Sequence, residues 1–478
     1  MSATLYWHDY ETTGTDPARD RPLQFAGLRT TLDLQPVGEP LLLYAQPARD
    51  VLPQPEACLV TGITPQEALA RGVPEVEFIR RIQAEMAAPH TCTLGYNSLR
   101  FDDEFTRFTL YRNLLDPYAR EWQHGNSRWD LIDLARAAWA LRPDGIEWPQ
   151  HADGRPSFRL EDLTRANGIE HGAAHDALAD VRATIAFAKR LRAAQPRLYD
   201  YAWRLRQKSE VLKLLDPGAP QPLVHVSSRF GAARHFTAVI AVLAVHPVNR
   251  NEFIAVDLMA DPAPLLSQPA QALAAALFAP AGSAGERPPL KTVRANRAPF
   301  LAPLSVLDAT ACARLEIDLP RCREHLAQLL AERDLPTRLS AAYAGRAQLV
   351  AADPEQALYS GGFFSDGDRR AMASVHEFTP EALAQALPVF ADARLPELLF
   401  RLRARNWPRT LTEAEQAEWE EYRRARLTDV SAGASIGIAD YRARIAALRG
   451  EPGRSERDLA VLDALSDWGV QLLAESDR

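Results

Sequence analysis

The apolar run Leu5-Tyr6-Trp7 reads as a short buried strand, and the polar stretch His8-Asp9-Tyr10-Glu11 follows it at once. Side chains alternate between the two faces of a strand, so Asp9 and Glu11 share one face and Tyr10 takes the other. Past a loop rich in Asp, Pro and Arg (residues 15–22), the apolar pattern predicts strands over 23–34 and 40–46 and helices over 65–71 and 75–87. Residues 91–96 read as another buried strand, with helices to follow over 101–114 and 130–141. Residues 157–167 have the pattern of a capped amphipathic helix, with Ser157 as N-cap and Gly168 at the stop. A last helix over 176–194 carries Ala177, Val181, Ile185 and Ala188 on one stripe. The first 190 or so residues are therefore α/β.

The pattern then changes. Gln195-Pro196 is a candidate boundary, a helical stretch covers 198–215, and the linker Asp216-Pro217-Gly218-Ala219-Pro220-Gln221-Pro222 follows. Beyond it, strands are predicted at 223–227, 236–246, 252–258, 290–294 and 300–303, with helical insertions at 264–278 and 321–333. From about residue 351 the chain is almost entirely helical, punctuated by Gly361-Gly362, Pro408 and the turn at 450–453. No internal repeat is visible.

Composition narrows the field. The chain has 478 residues, 47% hydrophobic and 24% charged, which is ordinary for a globular protein of several domains. Cys58, Cys92, Cys312 and Cys322 show neither CxxC pairing nor regular spacing, which suits a reducing cytoplasm better than a zinc ribbon or a disulfide framework. The longest apolar run, residues 236–245, is about half of what crosses a bilayer, and no secretory signal precedes the first strand. A cytoplasmic protein without a membrane span is expected. The net charge of −7 means that any nucleic acid must be held by local arginine clusters and stacking rather than by a basic surface. Arginine is abundant and lysine is confined to Lys189, Lys208, Lys213 and Lys291, as a GC-rich genome would also produce.

Three stretches carry candidate chemistry. Asp9 and Glu11 side by side repel each other, and a divalent cation relieves the repulsion through hard oxygen ligands; two solvated acids at an exposed strand end are the alternative. Phe101-Asp102-Asp103-Glu104 opens a helix directly after a strand, a common place for a site in an α/β domain, although acids also suit the positive end of a helix dipole. In His175-Asp176-Ala177-Leu178-Ala179-Asp180, a residue spacing of five puts His175 just ahead of the helix and Asp180 in its second turn, so that the imidazole can swing over a site Asp180 lines.

The order Asp-x-Glu, then Asp, then His-x4-Asp resembles the DEDDh 3′-to-5′ exonucleases, which have a ribonuclease-H-like fold. More of the chain resembles the bacterial exonuclease I family: His8-Asp9-Tyr10-Glu11-Thr12, Gly95-Tyr96-Asn97, Arg100-Phe101-Asp102-Asp103-Glu104, Asn126-Ser127-Arg128-Trp129-Asp130, Ser157-Phe158-Arg159-Leu160-Glu161, Asn167-Gly168-Ile169-Glu170-His171 and Ala174-His175-Asp176-Ala177. Past the nuclease region the likeness continues through residues 222–227, 362–366 and 403–406. It implies an α/β ribonuclease-H-like exonuclease domain (1–195), an SH3-like β-barrel domain (196–348) and a C-terminal all-helical domain (349–478), forming together a positively lined channel for one DNA strand.

The resemblance also implies roles. Asp9, Glu11 and Asp180 would hold two divalent ions, Mg²⁺ or alternatively Mn²⁺, with Asp102 as the fourth acid and His175 as general base. His171 is a rival for the base, but its spacing to Asp180 departs from the family pattern. The reaction would be 3′-to-5′ hydrolysis of single-stranded DNA to 5′-mononucleotides by a monomer acting in DNA repair and recombination. Glu11, Arg107, Trp122, Arg136 and Arg159 match positions that hold DNA, whereas Trp129 reads as core. The cluster Arg401, Arg403, Arg405, Trp407 and Arg409 leaves two readings open, a channel lining or a solvated helix face. Arg142 and Tyr201 match positions that bind the acidic tail of single-strand DNA-binding protein, but Asp308 stands where a basic residue is expected. Two other functions are weighed. An RNA-trimming DEDDh enzyme is disfavoured by the two further domains, and an inert nucleic-acid-binding scaffold by the intact acids and His175.

Overall fold

The strand that carries Asp9 and Glu11 runs longer than its apolar run suggests: β1 spans Thr4–Thr12. In the computed structural model, which describes residues 3–172, 176–280, 287–345 and 351–476, β2 (Pro22–Thr30) and β3 (Leu41–Tyr44) follow it. Next come α1 (Pro55–Thr61), α2 (Pro65–Arg71), α3 (Glu75–Met86), β4 (Thr91–Gly95) and α4 (Asp102–Arg112). β5 (Ser127–Asp130), α5 (Leu131–Leu141), α6 (Leu160–Ala166) and α7 (Ala177–Ala194) complete the first region. α8 (Pro196–Arg204) and α9 (Lys208–Leu212) lead into β6 (Leu223–Val226), β7 (Thr237–Val245) and β8 (Glu252–Asp257). α10 (Ala263–Ser267) and α11 (Ala270–Leu277) precede β9 (Leu290–Arg294) and β10 (Phe300–Pro303), and α12 (Ala309–Arg314), α13 (Leu319–Ala331) and α14 (Leu335–Ala344) follow. The chain finishes with α15 (Asp366–Val375), α16 (Pro380–Gln385), α17 (Arg394–Asn406), α18 (Glu413–Thr428), α19 (Ile438–Arg449) and α20 (Glu456–Ser476).

The chain divides into two compact units, Met1–Ser127 with His171–Arg182 and Leu349–Arg478, and Arg128–Glu170 with Ala183–Gln348. In the first, the strands lie in the order β3-β2-β1-β4. β1 is antiparallel to β2, from Leu5 opposite Thr30 to Glu11 opposite Gln24, and parallel to β4, from Thr4 opposite Thr91 to Trp7 opposite Leu94. One face of β1 is apolar: Tyr6 and Tyr10 pack with Phe25 of β2 and with Phe78, Ile79, Ile82 and Met86 of α3. Gly27 is required there, since a Cβ would stand 2.2 Å from the Tyr6 hydroxyl.

The same unit contains the C-terminal helices, and they share its core. Leu23, Tyr44 and Cys58 pack with Leu427, Tyr441, Leu465 and Trp468, while Val76, Phe108 and Tyr111 pack with Met372, Leu395 and Leu402. Charge is buried alongside. Arg21 donates to Glu355 at 2.6 Å, Arg405 donates to Asp50 at 2.8 and 2.9 Å and also to Glu355, and Arg401 donates to Asp353 at 2.7 Å. Arg403 donates to Glu415 at 2.6 Å. Neither reading of the 401–409 cluster therefore holds: Arg401, Arg403 and Arg405 are interior ion-pair partners, Trp407 packs against the core, and of the set Arg409 is exposed.

In the second unit a five-stranded antiparallel sheet runs β10-β6-β7-β8-β9, with a register shift in β7 between Val242 and Ala244. Trp129 is core, as expected, edge-on to Tyr199 and Trp203 at 5.2 and 5.4 Å between ring centroids. Some boundaries differ from the pattern. The helix expected at 157–167 starts at Leu160; Ser157 instead donates its hydroxyl to Asp162 at 2.6 Å and sits outside the helix. The stretch 198–215 breaks into α8 and α9, and the short elements α1, β5, α12 and α14 add to the expected set.

Candidate active site

β1 outruns its parallel partner. The β1–β4 register ends at Trp7 opposite Leu94, so Asp9 and Glu11 lie beyond the carboxyl end of β4, where an α/β sheet opens a crevice. Gly95, the last residue of β4, could not carry a side chain, because its Cβ would meet the His8 carbonyl at 2.5 Å. The chain then turns through Asn97, at φ 64°, into α4. The first residue of α4 is Asp102, buried, and its Oδ1 accepts the Tyr10 amide at 3.0 Å. That bond satisfies a β1 amide where β4 has ended, and it places Asp102 between Asp9 and Glu11 along the strand.

The third piece comes from α7. The helix starts one residue later than expected, at Ala177, because Asp176 caps it by accepting the Ala179 amide at 3.0 Å, and Asp180 thus falls in the first turn rather than the second. Among the described residues, Asp9, Glu11 and Asp180 form a group whose ligand oxygens all lie within 4.8 Å of one another. Burial pushes the Glu11 carboxyl up to about 9, and the charges of Asp180, Asp102 and Asp176 add to it. Burial together with Asp102, Glu11, Asp180 and Asp176 likewise holds Asp9 well above the usual carboxylate range. Two unit charges ~5 Å apart interact by about 3 kcal/mol at an effective dielectric near 20, so the ionised set is strongly self-repelling. Converging hard oxygen donors that cannot all ionise alone are what a divalent cation binds. The residues therefore fit a divalent metal. Ala26, fully buried, stands opposite Asp9 on β2.

Asp176 escaped the sequence reading as a member of this acid set. Its signal was present, since an Asp directly ahead of a helical stripe is a capping residue. His175 lies outside the described residues. The rival, His171, is brought to Asp180, with Nε2 at 2.5 Å from Oδ1.

The family models bear on this geometry directly. Residues 6–188 match the model described as exonuclease, 206–345 that of the exonuclease I SH3-like domain, and 352–472 that of the exonuclease I C-terminal domain. The chain belongs to the exonuclease I family. Exodeoxyribonuclease I of Escherichia coli K12 is 48% identical over 430 residues, 90% of each chain. A solved structure of a moderately thermophilic exonuclease I from Methylocaldum szegediense superposes with a TM-score of 0.95 at 51% identity, covering 98% of this chain and 100% of that one. Exonuclease I of E. coli in complex with a dA16 oligonucleotide gives 0.93 at 45%, covering 98% and 100%. Two further matches are a zinc-bound form of the E. coli exonuclease I–ssDNA complex, 0.93 at 44%, and a structure of SSB/exonuclease I with an inhibitor, 0.92 at 45%, each covering 99% and 100%. The family confirms the three-part architecture of nuclease, SH3-like and C-terminal helical regions and an exonuclease activity that depends on a divalent metal.

The other expected contact residues vary in how free they are. Trp122 presents an indole that is 66% exposed, suited to stacking. Arg107 is buried and committed inside the protein: Nε and Nη2 donate to Glu121 at 2.7 and 2.8 Å, and Nη1 donates to Glu104 at 3.1 Å and to the Tyr359 hydroxyl at 3.0 Å. In the second unit, Arg136 pairs with Asp133 at 3.2 Å and faces the rings of Phe158 and Phe236, each 5.8 Å to the centroid. Arg159, ahead of α6, reaches solvent and pairs with Glu161 at 2.8 Å. Arg142 donates to the Val306 carbonyl at 3.1 Å, and the Tyr201 hydroxyl donates to the Leu301 carbonyl at 2.8 Å. Asp308 has a local task, capping α12 by accepting the Ala311 amide at 2.7 Å. Among the described residues no helix is long and apolar enough to cross a membrane.

Proposed function

We propose that this protein is a single-strand-specific 3′-to-5′ exodeoxyribonuclease that releases 5′-mononucleotides, acting as a cytoplasmic monomer in DNA repair and recombination. The observation that carries the reading is the convergence of Asp9, Glu11 and Asp180 within an exonuclease domain. These three would hold two divalent cations, Mg²⁺ with Mn²⁺ as the alternative, which when bound polarise the scissile phosphate, acidify a water and stabilise the departing 3′ oxygen. The protein's own residues do the rest. Asp102 locks β1 through the Tyr10 amide and so fixes the spacing of Asp9 and Glu11. His175 takes the proton of the attacking water. His171, bonded to Asp180, orients that carboxylate. Glu11 contacts the terminal nucleotide, Trp122 stacks on a base, and Arg136 and Arg159 meet phosphates. Arg107 reaches the strand only by exchanging one of its carboxylate partners for a phosphate, a like-for-like replacement of one anion by another.

The curated relatives are exodeoxyribonucleases, and one matched structure holds a deoxyadenosine oligonucleotide, which favours the DNA reading over RNA trimming. The acidic tail of single-strand DNA-binding protein is proposed as a partner at Arg142 and Tyr201. The guanidinium of Arg204, 5.6 Å from the Tyr201 ring, supplies positive charge beside them.

The test compares matched single-stranded, blunt duplex and 5′-blocked substrates in Mg²⁺. The single strand and the 5′-blocked strand should be degraded alike and the duplex far more slowly. Equal rates on single strand and blunt duplex would remove strand specificity, and loss of activity on the 5′-blocked strand would reverse the polarity.

A further inference from the structure

Gln24 of β2 lies directly opposite Glu11 of β1 and is 1% exposed. Residues directly opposite on paired strands project to the same face, so the Gln24 amide is on the face of the acid group. A buried amide is costly unless its hydrogen bonds are made. Here both ends are used, and by different elements. Oε1 accepts the amide of Ala177, the first residue of α7, at 3.3 Å, and Nε2 donates to the hydroxyl of Tyr44 on β3 at 2.6 Å. A backbone N–H can only donate, which fixes the carboxamide oxygen on α7 and the nitrogen on Tyr44. Tyr44 is itself held from outside. The Arg71 guanidinium lies 3.9 Å from its ring centroid, and Arg71 pairs with Glu67 at 2.5 Å.

The first amides of a helix have no partner within it. In α7, Asp176 satisfies that of Ala179 locally, but the bond to Ala177 comes from the sheet. Asp180 is in the same first turn, so the position of Ala177 sets that of Asp180 relative to Glu11. We propose that Gln24, braced by Tyr44, is a positioning residue that ties the start of α7 to the site strand and so brings Asp180 into register with Asp9 and Glu11. A glutamine does this where a glutamate would add one more negative charge to the acid group. The inference rests on Asp9, Glu11 and Asp180 being the metal site.

The test uses the full-length protein without DNA. Mn²⁺ binding is measured by calorimetry and amide exchange is followed over residues 177–180, in wild type, Gln24→Met and Tyr44→Phe. Methionine keeps the length and removes both hydrogen bonds; phenylalanine removes the outer bond alone. Gln24→Met should bind Mn²⁺ about 10-fold more weakly, the scale for losing a residue that orients a metal ligand, with faster exchange at 177–180. Tyr44→Phe should move both readouts the same way by less. A Gln24→Met protein that melts like wild type, binds Mn²⁺ like wild type and exchanges alike would overturn the proposal. If Gln24→Met does not fold, Tyr44→Phe decides: wild-type Mn²⁺ affinity together with wild-type exchange at 177–180 overturns it. If wild type itself takes no Mn²⁺, the metal reading fails, and exchange at 177–180 alone still decides whether Gln24 holds the helix.

Discussion

At the scale of single residues, the proposed function divides the chemistry between the two histidines before α7. His171 touches Asp180 through Nε2, whereas His175 matches the family pattern at five residues before Asp180. A general base contributes about 10²–10⁴-fold, and hydroxide at high pH substitutes for it in part. His175→Ala should therefore slow turnover by about that range and recover some rate as pH rises. His171→Ala should cost less and should show instead as a weaker response to added metal. Single-turnover rates across pH check both; a large, alkali-rescued defect in His171→Ala with His175→Ala near wild type would exchange the roles. The acids were legible because strand alternation puts residues 9 and 11 together whatever the tertiary fold. Gln24 was not, because its role depends on a strand pairing and a helix position that sequence distance conceals.

At the scale of elements, the site depends on β1 running on after β4 has stopped. Gly95 closes β4 against the His8 carbonyl, and the neighbour a Cβ would meet is backbone, which cannot step aside. Gly95→Ala should destabilise the protein by about 1–3 kcal/mol, the usual cost of overpacking, and should lower activity by more than this because the displaced segment carries Asp9. Denaturant midpoints and initial rates on a single-stranded substrate check this; unchanged values for both would show that the end of β4 is not a fixed point. Long periodic elements such as α3, α7 and β7 were readable from their apolar patterns. α1 and β5 were not, since seven or four residues are too few to display a period, and α1 is defined by Pro55 at its start and Gly62 at its end. Ser157 looked like a cap because it precedes an apolar stripe, yet its hydroxyl is used by Asp162.

At the scale of the whole molecule, the C-terminal helices are joined to the nuclease core by buried charge. Burial pushes the carboxyls of Asp50 and Glu355 up, but the guanidiniums of Arg405, Arg426 and Arg21 around Asp50, and of Arg405, Arg21, Arg401 and Arg426 around Glu355, outweigh burial and hold both below the usual range. A lowered folded-state value means stability that is fully present above the unfolded value of about 4 and lost as pH falls through the folded one. Glu355→Gln should cost about 3–5 kcal/mol at pH 7, because buried guanidiniums lose their partner charge, and its gap to wild type should begin to narrow as pH falls below about 4. Urea melts from pH 7 to 3 measure the gap; one that stays constant would contradict the account. Arginines 401, 403 and 405 could not be assigned from sequence, since the partners that neutralise them, Asp50, Asp353, Glu355 and Glu415, lie on other elements. The central claim is that Asp9, Glu11 and Asp180 hold the metal that hydrolyses a single DNA strand from its 3′ end. The most direct measurement follows a 5′-labelled single strand on a sequencing gel, with wild type and Asp180→Ala, in Mg²⁺ or EDTA, with strand binding measured in parallel. Wild type in Mg²⁺ should shorten the labelled strand progressively, whereas EDTA or Asp180→Ala should leave it intact while the strand is still bound. Full shortening by Asp180→Ala, or by wild type in EDTA, would contradict the claim.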